Sequence, residues 1–94
     1  MTSKRLKFLL THLRDNLEKY MQQISRPCGI CECIGEMCEE LKLNHEVKYY
    51  ISDYLFGLYP PFENHIVKKY GQYRWTPGQK KPRINFLNSV IEKL

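Results

Sequence analysis

The sequence predicts an all-α fold: a small compact bundle of about four helices, with a long ordered loop before the last helix. Apolar residues recur at steps of three and four in four separate segments, which is the spacing of amphipathic helices. Strand-like alternation is nearly absent, and strand pairing in the 60s and 70s is the main alternative. Because 94 residues can build one hydrophobic core, we expect residues 1–94 to form a single helical domain.

The first helix is predicted to span roughly residues 4 to 24. Ser3 is a suitable N-cap, and Arg26-Pro27 should end the helix because a residue before proline avoids the helical region. This is the clearest amphipathic pattern in the chain. Its apolar stripe consists of Leu6, Leu9, Leu10, Leu13, Leu17, Tyr20, Met21 and Ile24.

The second helix, within residues 30 to 41, is predicted to be short and acidic. Its apolar stripe consists of Cys31, Ile34, Cys38 and Leu41, flanked by Ile30 and Met37. The remaining surface carries Glu32, Glu36, Glu39 and Glu40.

The third helix follows Asn44, whose side chain can cap it, and is closed by Gly57 and the Tyr-Pro-Pro sequence at 59–61. Because aromatic residues at helical spacing usually belong to a core, we expect Tyr50 and Tyr54 to be buried. The full apolar stripe consists of Val47, Tyr50, Ile51, Tyr54, Leu55 and Leu58.

The last helix is predicted to start at Pro82, because proline suits the first position of a helix. The irregular segment before it contains Thr76-Pro77-Gly78, which is a turn signal. The apolar stripe of this helix consists of Ile84, Leu87, Ile91 and Leu94, with Phe86 and Val90 beside it.

Positive charge is concentrated in the last third of the chain. Residues 1–63 hold eight Lys/Arg and nine Asp/Glu, which gives −1, whereas residues 64–94 hold seven Lys/Arg and only Glu92, which gives +6. Such asymmetry indicates an anionic partner: a polynucleotide, a nucleotide, a phospholipid or an acidic protein surface. No window has the roughly 20 apolar residues of a membrane-spanning helix, and we expect an intracellular protein without a membrane partner.

The cysteines lie within eleven residues, at Cys28, Cys31, Cys33 and Cys38. Structural zinc sites usually take two ligand pairs from separate elements, and these pairs are missing here. We expect thiols that behave as small apolar residues, with Cys31 and Cys38 facing the core and Cys33 pointing elsewhere. Zinc shared with His45 or His65, and thiol redox chemistry, are the alternatives. We predict no metal ligand and no cofactor.

No catalytic residue is predicted from the histidines. His12 is expected at a helix flank and His45 in solvent, while His65 adjoins the basic region. A general base needs a substrate-facing carboxylate or nucleophile beside it, and the sequence shows no recognisable one.

Aromatic rings alternate with cations around the start of the last helix, an arrangement that suits base stacking beside neutralised phosphates. A helix starting at Pro82 would add unpaired amide N–H groups and the positive end of its dipole. The alternative is that Trp75 packs onto the core while the lysines remain solvated. The predicted ligand-binding residues are Tyr73, Arg74, Trp75, Gln79, Lys80, Lys81 and Arg83.

The sequence YRWTPG at 73–78, followed by KPRINFL at 81–87, resembles a C-terminal signature of small, mostly uncharacterised tailed-bacteriophage proteins. In that signature an aromatic residue, a tryptophan and a glycine lead into a Pro-Arg-Ile/Leu-x-Phe/Trp-Leu helix. Gly-Ile-Cys at 29–31 is similar to an element near the start of their second helix. Pro77 and the CECIGEMC sequence are not part of the signature that carries this resemblance.

The resemblance implies a non-enzymatic phage accessory protein that blunts host immunity in the host bacterial cytoplasm. On this interpretation the chain, as a homo-oligomer, sequesters a phosphorylated nucleotide-derived signal. One alternative is an inhibitor that covers an acidic surface of a host defence complex. The other is a nucleic-acid-binding module.

Overall fold

The computed structural model describes residues 1–23, 30–58 and 77–94, and these residues form five α-helices and no strand. The prediction of an all-α fold is confirmed, while the long loop predicted before the last helix lies outside the described residues. The helices are α1 (Ser3–Asp15), α2 (Leu17–Gln23), α3 (Ile30–Glu40), α4 (His45–Leu58) and α5 (Pro77–Glu92).

The first predicted helix is interrupted at Asn16, which separates α1 from α2. Asn16 has φ −114° and ψ 13°, and both its backbone N–H and its side-chain amide donate to the carbonyl of His12. Asparagine side chains compete with the backbone in this way, which favours helix ends over helix interiors. The N-cap prediction at Ser3 is wrong by one residue, because Thr2 Oγ1 accepts from the Arg5 N–H at 3.1 Å.

One apolar core joins all five helices. α1 packs against α5 and α3 packs against α4, and the side chain of Arg14 also donates to Asn88 Oδ1 at 2.9 Å, which ties α1 to α5. The buried apolar side chains of this core are Leu6, Leu9, Leu10, Leu13, Leu17, Tyr20, Met21, Ile30, Cys33, Ile34, Met37, Cys38, Ile51, Leu55, Phe86, Leu87, Val90 and Ile91.

The buried face of α3 differs from the prediction at Cys33. This side chain is fully buried rather than pointing away from the core, because it lies three residues after Ile30 and four before Met37, on their face of the helix. Cys38 is buried as predicted, and both residues are thiols rather than half-cystines. The side chain of Cys31 lies outside the described residues.

The two tyrosines predicted in the core of α4 have different environments. Tyr54 is partly buried and packs against the core, whereas Tyr50 is 43% exposed, so its predicted burial is wrong. Ile51 and Leu55 occupy the core positions of this helix, and Tyr50 therefore lies at the edge of its buried face.

The prediction that the last helix begins at Pro82 is also wrong. α5 begins at Pro77, and Pro82 lies inside it. Pro77 meets the same preference for the first helical position, where a missing N–H is harmless. Pro82 leaves the carbonyl of Gly78 without its usual N–H donor, because proline has no backbone N–H.

The cap predicted for α4 is confirmed and is open to a direct test. Asn44 Oδ1 accepts from the Val47 N–H at 3.1 Å. Replacing Asn44 with alanine is expected to lower the free energy of unfolding by about 1 kcal/mol, because this amide loses its partner. Urea denaturation measures the change. Asn85→Ala, at an exposed position inside α5, is the matched control, and equal losses for the two variants would contradict the capping role.

Candidate functional site

The residues predicted to bind a ligand are only partly covered by the structure. Tyr73, Arg74 and Trp75 lie outside the described residues, so their proposed contacts stay a prediction. Gln79 and Lys80 belong to the first turn of α5, but their side chains also lie outside the described part. Of the predicted ligand-binding residues, only Lys81 and Arg83 have side chains in the described part of the structure.

Lys81 and Arg83 do not share one solvent-facing surface. Lys81 is exposed, whereas Arg83 is only 2% exposed. A separation of two residues along an α-helix is a rotation of about 200° around its axis. The side chains of Lys81 and Arg83 therefore leave α5 in nearly opposite directions. Arg83 is therefore not one of the cations that α5 presents to solvent. Because α5 begins at Pro77, its unpaired N–H groups lie in residues 78–80 rather than after Pro82.

The structure brings together a polar cluster that the sequence did not predict. We call it the Tyr20 cluster, and it consists of His12, Lys19, Tyr20 and Glu40. The Tyr20 side chain is completely buried, and its hydroxyl lies 3.0 Å from His12 Nε2. The carboxylate of Glu40 accepts hydrogen bonds from the Tyr20 hydroxyl and from the Lys19 ammonium. The cluster thereby links α1, α2 and α3.

The surroundings of the Tyr20 cluster favour a neutral Tyr20 phenol and a charged Glu40 carboxylate. Burial, followed by the hydrogen bond to Glu40, raises the pKa of the Tyr20 phenol well above its usual range. The hydrogen bonds from Lys19 and Tyr20 lower the pKa of Glu40. Because the phenol donates its single proton to Glu40, His12 Nε2–H is the donor to the phenol oxygen. Both shifts move the pKa away from neutrality, which suits a structural bridge better than general acid–base catalysis.

The sequence indicates only one contact of this cluster, the one between His12 and Tyr20. His12 and Tyr20 are eight residues apart, which places them on the same stripe of a nearly continuous helix. Glu40 comes from α3, and its contact with Tyr20 depends on how two separate helices pack. No local spacing reports such a contact, so the cluster could not be predicted as a unit.

A groove with a volume of about 190 Å³ lies between α3 and α4. The ammonium of Lys48 lies over Gly35, 3.4 Å from where a Cβ would be placed. Burial raises the pKa of the Cys38 thiol, so this sulfur stays protonated and is a poor nucleophile. The groove is lined by Glu32, Gly35, Glu36, Cys38, Glu39, Leu43, Asn44, His45 and Lys48.

The described residues contain neither a cluster of metal-ligating side chains nor a helix that could span a membrane. In residues 1–23, 30–58 and 77–94, no group of three His, Cys, Asp or Glu side chains is placed to hold a metal ion. Cys28 and His65 lie outside these ranges, so the zinc alternative is untested. No helix in the same ranges is both long and apolar enough to cross a bilayer.

Comparison with protein-family models, with curated proteins and with solved structures finds no match to this chain. The observed helices place it in the class of small all-α proteins.

Proposed function

We propose that the chain is a non-enzymatic protein that binds and sequesters a phosphorylated, nucleotide-derived molecule through residues 73–83. The observation that carries the proposal is the excess of seven Lys/Arg over one acidic residue in residues 64–94. The first turn of α5 contains no acidic residue, so the positive end of its dipole adds to the charges of Lys80 and Lys81. The resemblance of residues 73–87 to the phage signature supports an accessory role in a host bacterial cytoplasm.

Six residues of the segment have a chemical role in this proposal. Arg74, Lys80 and Lys81 neutralise phosphate, and Tyr73 or Trp75 stacks on a base. Gln79 offers an amide to a base edge or a ribose hydroxyl. Arg83 is left out because it is buried. Joint enclosure of a small dianion by the subunits of a homo-oligomer would complete its charge pairing.

Titration calorimetry with cyclic dinucleotides and ADP-ribose derivatives tests this proposal, with inorganic phosphate as the reference anion. We expect one nucleotide class to bind and to raise the melting temperature, since a ligand at 100 times its Kd stabilises a fold by about 2.7 kcal/mol. The double variant Lys80→Glu/Lys81→Glu is expected to abolish binding, because it reverses two charges at the phosphate position.

The matched control is Lys42→Glu/Lys93→Glu, which makes the same change in net charge at exposed positions outside residues 73–83. It is expected to retain binding of the small molecule. If both double variants lose binding equally, the effect is one of net charge and the proposed site is wrong. A panel in which no nucleotide binds would also count against the proposal.

A further inference from the structure

We propose that the exposed face of α1 is a second binding surface, which takes single-stranded nucleic acid. We call it the Phe8 surface and define it by Lys4, Arg5, Lys7 and Phe8. It lies on a different helix from segment 73–83 and does not depend on the function proposed above.

The first argument is the placement of Phe8. This large apolar side chain is 63% exposed, although the leucines around it in α1 are buried. Lys4 and Arg5 precede it by four and three residues, so both lie one turn away on the same face of the helix. The ring of His12, one turn further on, stacks on Phe8 with centroids 6.5 Å apart and planes 29° apart. A flat ring is thus presented to solvent between cations.

The second argument is the charge at this end of α1. Its first turn contains no acidic residue, and Lys4 and Arg5 lie near the positive end of the helix dipole, where cations are unfavourable for the helix. The ion pairs of Arg14 with Asp15 and of Lys19 with Glu40 do not involve Lys4, Arg5 or Lys7. Lys4, Arg5 and Lys7 are exposed, so an anionic partner can reach their charges.

The third argument concerns the class of partner. A helix that binds a membrane surface inserts a broad apolar face, and the leucine face of α1 is buried in the core. Stacking on an exposed ring beside cations that neutralise phosphate is the usual mode of binding for single strands. In a duplex the bases already stack on one another, which leaves Phe8 without a base. An acidic protein satisfies the cations but need not offer a flat partner to the ring.

Fluorescence anisotropy with labelled homopyrimidine DNA and RNA of about 12 nucleotides tests the proposal. If the three cations neutralise three phosphates, the slope of log K against log salt concentration should be about −2. The binding affinity should then fall roughly 20-fold between about 50 and 200 mM salt. Phe8→Ala is expected to weaken binding by roughly tenfold, and Phe8→Trp to retain it, because every base can stack on either aromatic ring. Lys4→Glu/Lys7→Glu is expected to abolish binding.

The control for charge is Lys42→Glu/Lys93→Glu, which makes the same change in net charge at two exposed positions outside α1. It should retain most of the affinity. Equal losses in the two double variants, or unchanged affinity in Phe8→Ala, overturn the proposal. It is also overturned if anionic phosphatidylglycerol vesicles or a polyglutamate peptide bind through Phe8 while the oligonucleotides do not.

Discussion

Replacing Leu10 with alanine is expected to lower the free energy of unfolding by about 3 kcal/mol. The Leu10 side chain has no exposed surface and lies in the core that α1 shares with the other helices. The substitution removes buried methyl groups and leaves a cavity that the close-packed neighbours fill only in part. Urea-induced unfolding followed by circular dichroism at neutral pH measures the loss.

Phe8→Ala is the matched control for this experiment, because it truncates a larger apolar side chain on the same helix. Phe8 lies mostly in solvent, and we expect a change within about 0.5 kcal/mol. Losses of similar size in the two variants would mean that α1 does not turn the Leu10 face toward the core. That result would also remove the basis of the Phe8 surface.

Replacing Tyr20 with phenylalanine is expected to lower the free energy of unfolding by about 1 to 2 kcal/mol. The substitution keeps the ring in the core but removes the hydroxyl that links His12 to Glu40. Unfolding at neutral pH measures this effect. Tyr49→Phe, at a position that is 61% exposed, is the matched control and should change little. If the two variants are equally stable, the Tyr20 hydroxyl contributes nothing to the fold.

The dependence of stability on pH gives a second readout for Tyr20. Its pKa is raised in the folded protein, whereas an unfolded tyrosine titrates near about 10. Its contribution is therefore fully present below about pH 10 and is lost as the pH rises toward the folded pKa. The pKa of Glu40 is lowered, so its contribution is present above its unfolded pKa and is lost as the pH falls through the folded one. Tyr20→Phe should weaken both dependences, and an unchanged alkaline profile would contradict the cluster.

Local chemistry explains which parts of the fold could be predicted from the sequence. The apolar spacing in α1, α3, α4 and α5 predicts most of the core positions, with Cys33 and Tyr50 as exceptions. The Asn44 cap depends only on residues three positions apart. The sequence does not predict the interruption at Asn16, because the apolar residues keep helical spacing on both sides of it. The start of α5 was misplaced because Pro77 and Pro82 satisfy the same positional rule, and that rule does not choose between them.

The candidate site was less predictable, since it depends on geometry that charge counting does not contain. The sum over residues 64–94 is a property of composition, but the separation of Lys81 from Arg83 follows from their places inside α5. A helix that began at Pro82 would leave Lys81 in a loop, where helix geometry does not fix its direction relative to Arg83. The exposure of Phe8, by contrast, agrees with the sequence, because the apolar stripe predicted for the first helix does not include it.

Because Tyr20 links three helices, its hydrogen bonds affect the local unfolding of all three. Hydrogen bonds that join separate elements couple their local unfolding. Loss of α2 from the core would leave both His12 and Glu40 without the phenol, so its departure is coupled to the ends of α1 and α3. In native-state hydrogen exchange, the amides of these three helices should accordingly gain or lose protection as one cooperative unit.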